Sequence, residues 1–178
     1  LVVKNAAIAS KPNEAGTFKI SLSEVRLRET GDGRVEITLP TEVPMTLSGK
    51  DPEGKVIDTA VTMTQDGLLI TASGAPEDIT YDTKAAKVTV SLDSAASEGE
   101  KLPATVQLAL NGITTQSHVV RTAGFGVDST FAAASADVKI SATSKEEGKE
   151  GSFDLTGTVN DLTGSSKAQI VDGADMST

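Results

Sequence analysis

Residues 105–120 read TVQLALNGITTQSHVV. Val106, Leu108 and Leu110 alternate with polar neighbours, the period of a strand with one face on a core and one toward water. Asn111-Gly112 follows, and both residues tolerate the positive φ of a type I′ turn, whose twist suits a hairpin. The stretch therefore predicts a tight reversal, with ITTQSHVV as the returning strand.

The same grammar recurs outward from this point. RVEITL (34–39) puts Val35, Ile37 and Leu39 on one face, and KVTVSL (87–92) does so with Val88, Val90 and Leu92. Asp66-Gly67 between VTMTQ and LLITAS predicts a second tight hairpin turn. Gly31-Asp32-Gly33 and Asp51-Pro52-Glu53-Gly54 supply further turn chemistry. Short alternating strands with frequent turn signals predict an all-β fold, an antiparallel Ig-like or Greek-key β-sandwich with additional C-terminal strands. STFAAASA (129–136) is the best candidate for a helical turn or connector. The expected organisation is a sandwich module over 1–125, a connector over 126–136 and a C-terminal β extension over 137–178. That extension, with strands near 138–143, 151–159 and 167–171, is expected to pack on the module or on a neighbouring subunit.

The chain also opens the same way twice. At a constant offset of 135 residues, Val3-Lys4 falls on Val138-Lys139, Gly16 on Gly151, Phe18 on Phe153, Ile20 on Leu155 and Leu27 on Leu162. A true repeat and a shared hairpin composition are both open readings of this.

Composition narrows the function classes. Of 178 residues only 3% are aromatic, with no Trp, one Tyr and four Phe, so a core must come from aliphatic and β-branched side chains. The net charge is -9, which disfavours phosphate backbones and anionic lipid, so neither nucleic acid nor a membrane surface is an expected partner. Residues 1–40 carry six basic and five acidic groups, whereas residues 126–178 carry four and nine. There is no cysteine, hence no disulfide and no thiolate metal site. No apolar run approaches the length of a bilayer-spanning helix. The first residue is Leu1 rather than Met, which suggests a removed signal peptide and an extracellular or cell-surface location.

Catalytic constellations are not legible. His118 is the one histidine, and TTQSHVV gives it the setting of a strand imidazole rather than of a triad base. No nucleophile elbow, phosphate-cradling loop or zinc spacing occurs. Calcium is the one metal the acidic composition would suit, with Asp172, Asp175 and the Asp51/Glu53 turn as its best clusters, but none has the spacing of a dedicated loop. No cofactor is expected, nor an enzyme. Tyr81 alone makes a poor sugar platform. LPTEV (39–43) and LPATV (102–106) lack the glycine of a sortase signal and read as strand-edge prolines.

GRVEITLPTEVPM (33–45), together with LLITAS, APEDITYDTKAAKVTVSLD and SEGE between residues 67 and 100, resembles the repeated β-modules of secreted clostridial-type surface proteins. Those modules accompany copper-amine-oxidase-like N-terminal domains. The resemblance covers roughly residues 20–125 and implies an extracellular module in tandem, with no catalytic site to carry over. The leading expectation is thus a non-enzymatic structural subunit, of a fibre, pilus-like filament or surface layer. Its partner would be another copy, joined by strand complementation (donor-strand exchange). LVVKNAAI (1–8) supplies the candidate intersubunit strand through Leu1, Val2, Val3, Ala6 and Ile8. The alternative is an adhesion or ligand-binding module using loops 48–55, 73–85 and 93–103.

Overall fold

The computed structural model describes residues 1–11, 16–121, 124–146 and 149–171. Its strands are β1 (Val2–Ala9), β2 (Thr17–Thr30), β3 (Arg34–Thr38), β4 (Glu42–Lys50), β5 (Val56–Asp66) and β6 (Leu69–Ala75). They continue with β7 (Asp78–Ser97), β8 (Glu100–Lys101), β9 (Ala104–Arg121), β10 (Gly124–Glu146) and β11 (Lys149–Val171). The expected class is the one observed: all-β, antiparallel, in one hydrogen-bonded sheet. β3 and β4 lie end to end along β2, and β5 and β6 lie end to end along β7. Merging these two pairs and setting aside two-residue β8, the 11 strands form eight paths. Each path pairs with the next in the chain, so the connections are those of an up-and-down meander rather than Greek-key crossovers. β10 and β11 are 23 residues each, about 75 Å at strand rise.

The two glycine dipeptides do not turn the chain. Asn111 pairs with Lys87 and Ser135, and Ile113 pairs with Ala85, so β9 runs straight through Gly112. Asp66 faces Lys87 and Leu69 faces Lys84, so β5 passes into β6 beside the same partner. The hairpin after β6 instead turns at Pro76-Glu77, between paired Ala75 and Asp78. The positive φ that suggested turns is real, +65° at Gly67 and +60° at Gly112, but it is used where β5 passes into β6 and inside β9 rather than to reverse the chain. STFAAASA is likewise not helical: it lies within β10, where ladders to β9 and β11 on either side override the helical preference of alanine. Residues 126–136 therefore lie inside a strand, and β10 and β11 carry the same sheet onward.

What those glycines do is visible in the order of apolar residues. In β9 the apolar series runs Val106, Leu108, Leu110 and then Ile113, a step of three where alternation demands two. β7 steps from Ala85 to Val88, β10 from Ala133 to Ala136, and β11 from Val159 to Leu162. β2 steps from Leu22 to Val25 and β1 from Val3 to Ala6. In an uninterrupted strand a step of three would throw the second series onto the opposite face. Left-handed residues stand inside the step at Asn5 (φ 53°), Gly67 (65°), Gly112 (60°) and Asp161 (54°). The ladders are interrupted along the same line, at Ala86 with Gly112 and at Ala134 with Asp161. The result is one crease across the whole sheet. Val88 and Leu110, from beyond it, pack on buried Ala85, Ile113 and Ala133 from before it, so both apolar series share a face.

Between β3 and β4 the crease falls on Leu39-Pro40-Thr41, where Pro40 has no N–H to offer a ladder. Gln65 fills the gap. Its backbone N–H donates to Thr41 O at 2.9 Å, and its side-chain amide donates to Leu39 O and Pro40 O at 3.2 and 3.3 Å. Its Oε1 accepts from the Leu68 N–H at 2.9 Å. The polar groups freed by the break are thereby satisfied.

The two similar openings both fold as hairpins, in different registers. Ile8 faces Ile20 across β1 and β2. Their counterparts at the 135-residue offset, Thr143 and Leu155, face Ser152 and Ile140 instead. The likeness therefore lies in strand composition, without superposable pairing.

Gly112 gives the crease a direct test. A Cβ there would meet a left-handed backbone and the Ala134 Cβ at 3.0 Å. Gly112→Ala should lower unfolding free energy by about 1–2 kcal/mol from backbone strain, plus a packing cost. Adding Ala134→Gly should recover only the packing part, as read by urea denaturation. Full recovery would mean that the left-handed backbone at Gly112 costs nothing.

Candidate interaction surface

Among the described residues no element packs across the apolar face of the meander. Only Val43, Ala85, Ala109, Ile113, Ala133 and Ala136 are buried apolar residues among those described, and Val43 alone is nearly inaccessible. Val106 and Leu108, although on an inner strand with neighbours on both sides, remain 38% exposed. The accessible surface is 12237 Å², against about 8,100 Å² for a compact protein of 18.2 kDa. An excess of this size fits a sheet with no second layer packed on it.

The opposite face is a ladder of polar cross-strand pairs. Beyond the crease, Asn111 Nδ2 donates to Asp137 Oδ2 at 2.8 Å and to Ser135 Oγ at 2.9 Å. Thr158 Oγ1 donates to Asp137 Oδ1 at 2.8 Å. Thr62 Oγ1 donates to Asp93 Oδ2 at 2.6 Å. Before the crease, Gln116 Nε2 donates to Asp82 Oδ1 at 2.9 Å and Lys167 pairs with Asp128 at 3.1 Å. Arg28 pairs with Glu36 across β2 and β3, and Arg26 with Glu24 along β2 itself. Such pairs are individually weak, but they fix register and keep this face in water.

The two outer strands complete the surface. Val2, Val3, Ala6 and Ile8 lie along β1, whose inner edge pairs with β2, and Leu1 precedes it, hydrogen-bonded to Leu27. Val3, Ala6 and Ile8 pair opposite Val25, Leu22 and Ile20 of the apolar face, while Val2 pairs opposite Arg26. The N-terminal strand is thus part of its own sheet, and its outer edge has no strand partner among the described residues. Among the described residues β11, at the other end, pairs only with β10. Its apolar residues Phe153, Leu155 and Val159 are 56%, 46% and 58% exposed. LTGTVNDL carries the same three-residue apolar step as the inner strands, which marks β11 as a strand of this sheet without marking it as an edge.

The remaining candidates stand apart from this surface. His118 Nε2 lies 2.7 Å from Asp78 Oδ1 at an exposed position on the polar face, its one described hydrogen bond. Asp51 Oδ1 accepts from the Glu53 and Lys55 N–H groups, both at 2.9 Å, and Glu53 pairs with Lys55 Nζ, so these carboxylates serve their turn. Among the described residues no three His, Cys, Asp or Glu side chains cluster to hold a metal. Asp172 and Asp175 lie outside the described residues. Leu39-Pro40-Thr41 sits in the crease, and Pro103 O accepts from the Thr143 N–H. Tyr81 is half-buried in β7. Of the three suggested loops, 73–85 is mainly β6 and β7 ladder. No helix among the described residues is long and apolar enough to cross a membrane. Comparison with protein-family models, curated proteins and solved structures finds no match.

Asp137 reports on the polar ladder. Hydrogen bonds from the Thr158 hydroxyl and then the Asn111 amide hold its carboxyl below its ordinary value. A depressed folded value means that these bonds stabilise the fold above the unfolded value and lose their effect as pH falls through the folded one, in the range below about pH 4. Thr158→Val should move the Asp137 carboxyl upward, by carbon-detected NMR titration. An unmoved midpoint would contradict the contact.

Proposed function

We propose that this chain is a non-enzymatic structural protein of the cell exterior that self-assembles through its sheet into a fibre or layer. The observation that carries this reading is a sheet finished on neither its apolar face nor its outer edges. An isolated edge presents unpaired N–H and C=O groups, and natural sheets usually blunt, cover or pair it. Here β11 is 23 residues long, and both outer strands expose aliphatic side chains. The uncovered area exceeds what a standard protein interface needs, so joining copies has a large hydrophobic term behind it. A polar face that is already internally hydrogen-bonded supplies the solvent side of an assembly.

The placement outside the cell draws on the composition: no cysteine, few aromatics, an acidic surface and the resemblance to surface-protein modules. A second reading, a ligand-binding surface module, draws on a hollow of about 460 Å³ beside Arg34, Thr71, Asp82, Lys84, Thr114 and Gln116. Phe131 is the one aromatic side chain lining it, with no Trp or Tyr beside it to concentrate binding energy, and the assembly reading is preferred.

Sedimentation velocity with electron microscopy tests the assembly directly. Particles larger than one chain should appear and grow with concentration. Leu108→Glu, on the apolar face, should shift them toward the monomer while strand content by circular dichroism is retained. A monodisperse monomer at all accessible concentrations would overturn the reading.

A further inference from the structure

The two open edges of the sheet fit each other, and we propose that β1 of one copy pairs with β11 of the next, antiparallel, with Val3 opposite Leu162 and Lys4 opposite Asp161. This names the joint within the self-assembly reading and rests on it. Direction sets its sense, and hydrogen-bond phase and side-chain order each agree with its register.

Direction follows from the count of strand paths. With eight paths, an even number, β1 and β11 run in opposite senses. A second copy added in the same orientation therefore sets its β1 antiparallel to β11, and the alternation of the meander continues without a break.

Phase follows from which backbone groups are already used. Leu1 and Leu27 exchange both of their hydrogen bonds, at 2.8 and 2.9 Å, so alternation leaves Val2 and Lys4 with backbone groups pointing outward. Beyond the crease the Ser10 N–H donates to Phe18 O, which leaves Ala7 and Ala9 pointing outward. On the other edge, the Thr143 N–H is spent on Pro103 O of the β8–β9 connection, so Ala142 turns toward its partner Phe153. By alternation Leu155, Gly157 and Val159 then face β10, leaving Thr156 and Thr158 outward. Before the crease, the Arg121 N–H bond to Glu77 O sets β9 and then β10, so that Leu162 and Gly164 face β10 and Thr163 points outward. Pairing Val3 with Leu162 makes every outward group meet another. Val2 meets Thr163, Lys4 meets Asp161, Ala7 meets Thr158 and Ala9 meets Thr156.

Side-chain order gives the same register. Leu1 falls opposite Gly164, Val3 opposite Leu162, Ala6 opposite Val159 and Ile8 opposite Gly157. A Cβ on Gly157 would meet nothing within 4 Å, which leaves room for Ile8 between Leu155 and Val159. The apolar face passes from one copy to the next, and a slip of one residue would invert it. The left-handed Asn5 and Asp161 come to the same crease line. The one basic residue of β1 meets the one acidic residue at the β11 crease, and the near-neutral end of the chain meets the acidic end.

Because the chain contains no cysteine, introduced thiols report the joint cleanly. Val3 and Leu162 would form a non-hydrogen-bonded pair, whose Cα separation of about 4.5 Å suits a disulfide. Val3→Cys with Leu162→Cys should give, on oxidation, a covalent ladder of dimers and higher multimers that reductant collapses. Val3→Cys with Asp161→Cys, one residue out of register, should not. Equal ladders from both pairs, or none from the first while the unmodified protein sediments as multimers, would overturn this joint and leave self-assembly standing. A strictly monomeric unmodified protein would overturn both. Lys4→Gln and Asp161→Asn should each weaken association roughly two- to five-fold, and the double variant no further than either alone. Additive losses would refute the Lys4–Asp161 pairing.

Discussion

Everything in this sheet depends on keeping the apolar side chains of two half-strands on one face across a three-residue step. Strict pleating would place Leu110 and Ile113 on opposite faces, and the same holds for Ala85 with Val88 and Val159 with Leu162. Left-handed backbone at Asn5, Gly67, Gly112 and Asp161 supplies the local correction, and neighbouring strands must make it at the same level or lose their ladder. The crease is therefore a collective feature. A single strand carrying it among straight neighbours would forfeit hydrogen bonds on both sides.

That requirement explains which parts of the fold were legible. Period-two alternation identified strands almost everywhere, and the all-β class followed from it. The placement of reversals did not follow, because Asn-Gly and Asp-Gly report only a demand for positive φ. A hairpin turn and a left-handed residue within a strand make the same local demand. What separates them is the apolar series on either side: VQLAL and ITTQSHV change phase by one residue. The alanines of 129–136 were misleading for a related reason. Small side chains suit a helix, but they also suit the inside of a crease, where Ala133 and Ala136 are buried. Of the candidate surface, the N-terminal strand was visible as an apolar alternating terminus. The β11 edge was not, since an edge is defined by which strand lacks a neighbour, and that is a property of topology.

The same topology distributes burial unevenly. Ile113 and Ala85, near the crease in the middle of the sheet, are covered by the converging rows, whereas Phe153 and Val106 lie away from it and stay open. Polar satisfaction, by contrast, is complete: no buried side-chain polar atom among the described residues lacks a partner. The sheet is thus finished with respect to its side-chain hydrogen bonds and unfinished with respect to hydrophobic cover and to its two outer edges. Those two conditions together favour association over collapse, because rearranging the ladder to hide the apolar face would strand polar groups.

The meander order has a consequence for how stability is distributed along the chain. Strand paths touch only those adjacent in sequence, so cooperativity should pass from hairpin to hairpin, as in solenoid repeats. Free energy in such an array is close to a sum over neighbouring interfaces. Fraying then begins at the first and last strands, and the interior need not follow. Each end strand has half the neighbours of an inner one, and a third copy of the same interface at either end would convert it into an interior strand. An array of this kind carries no internal signal for where it should stop.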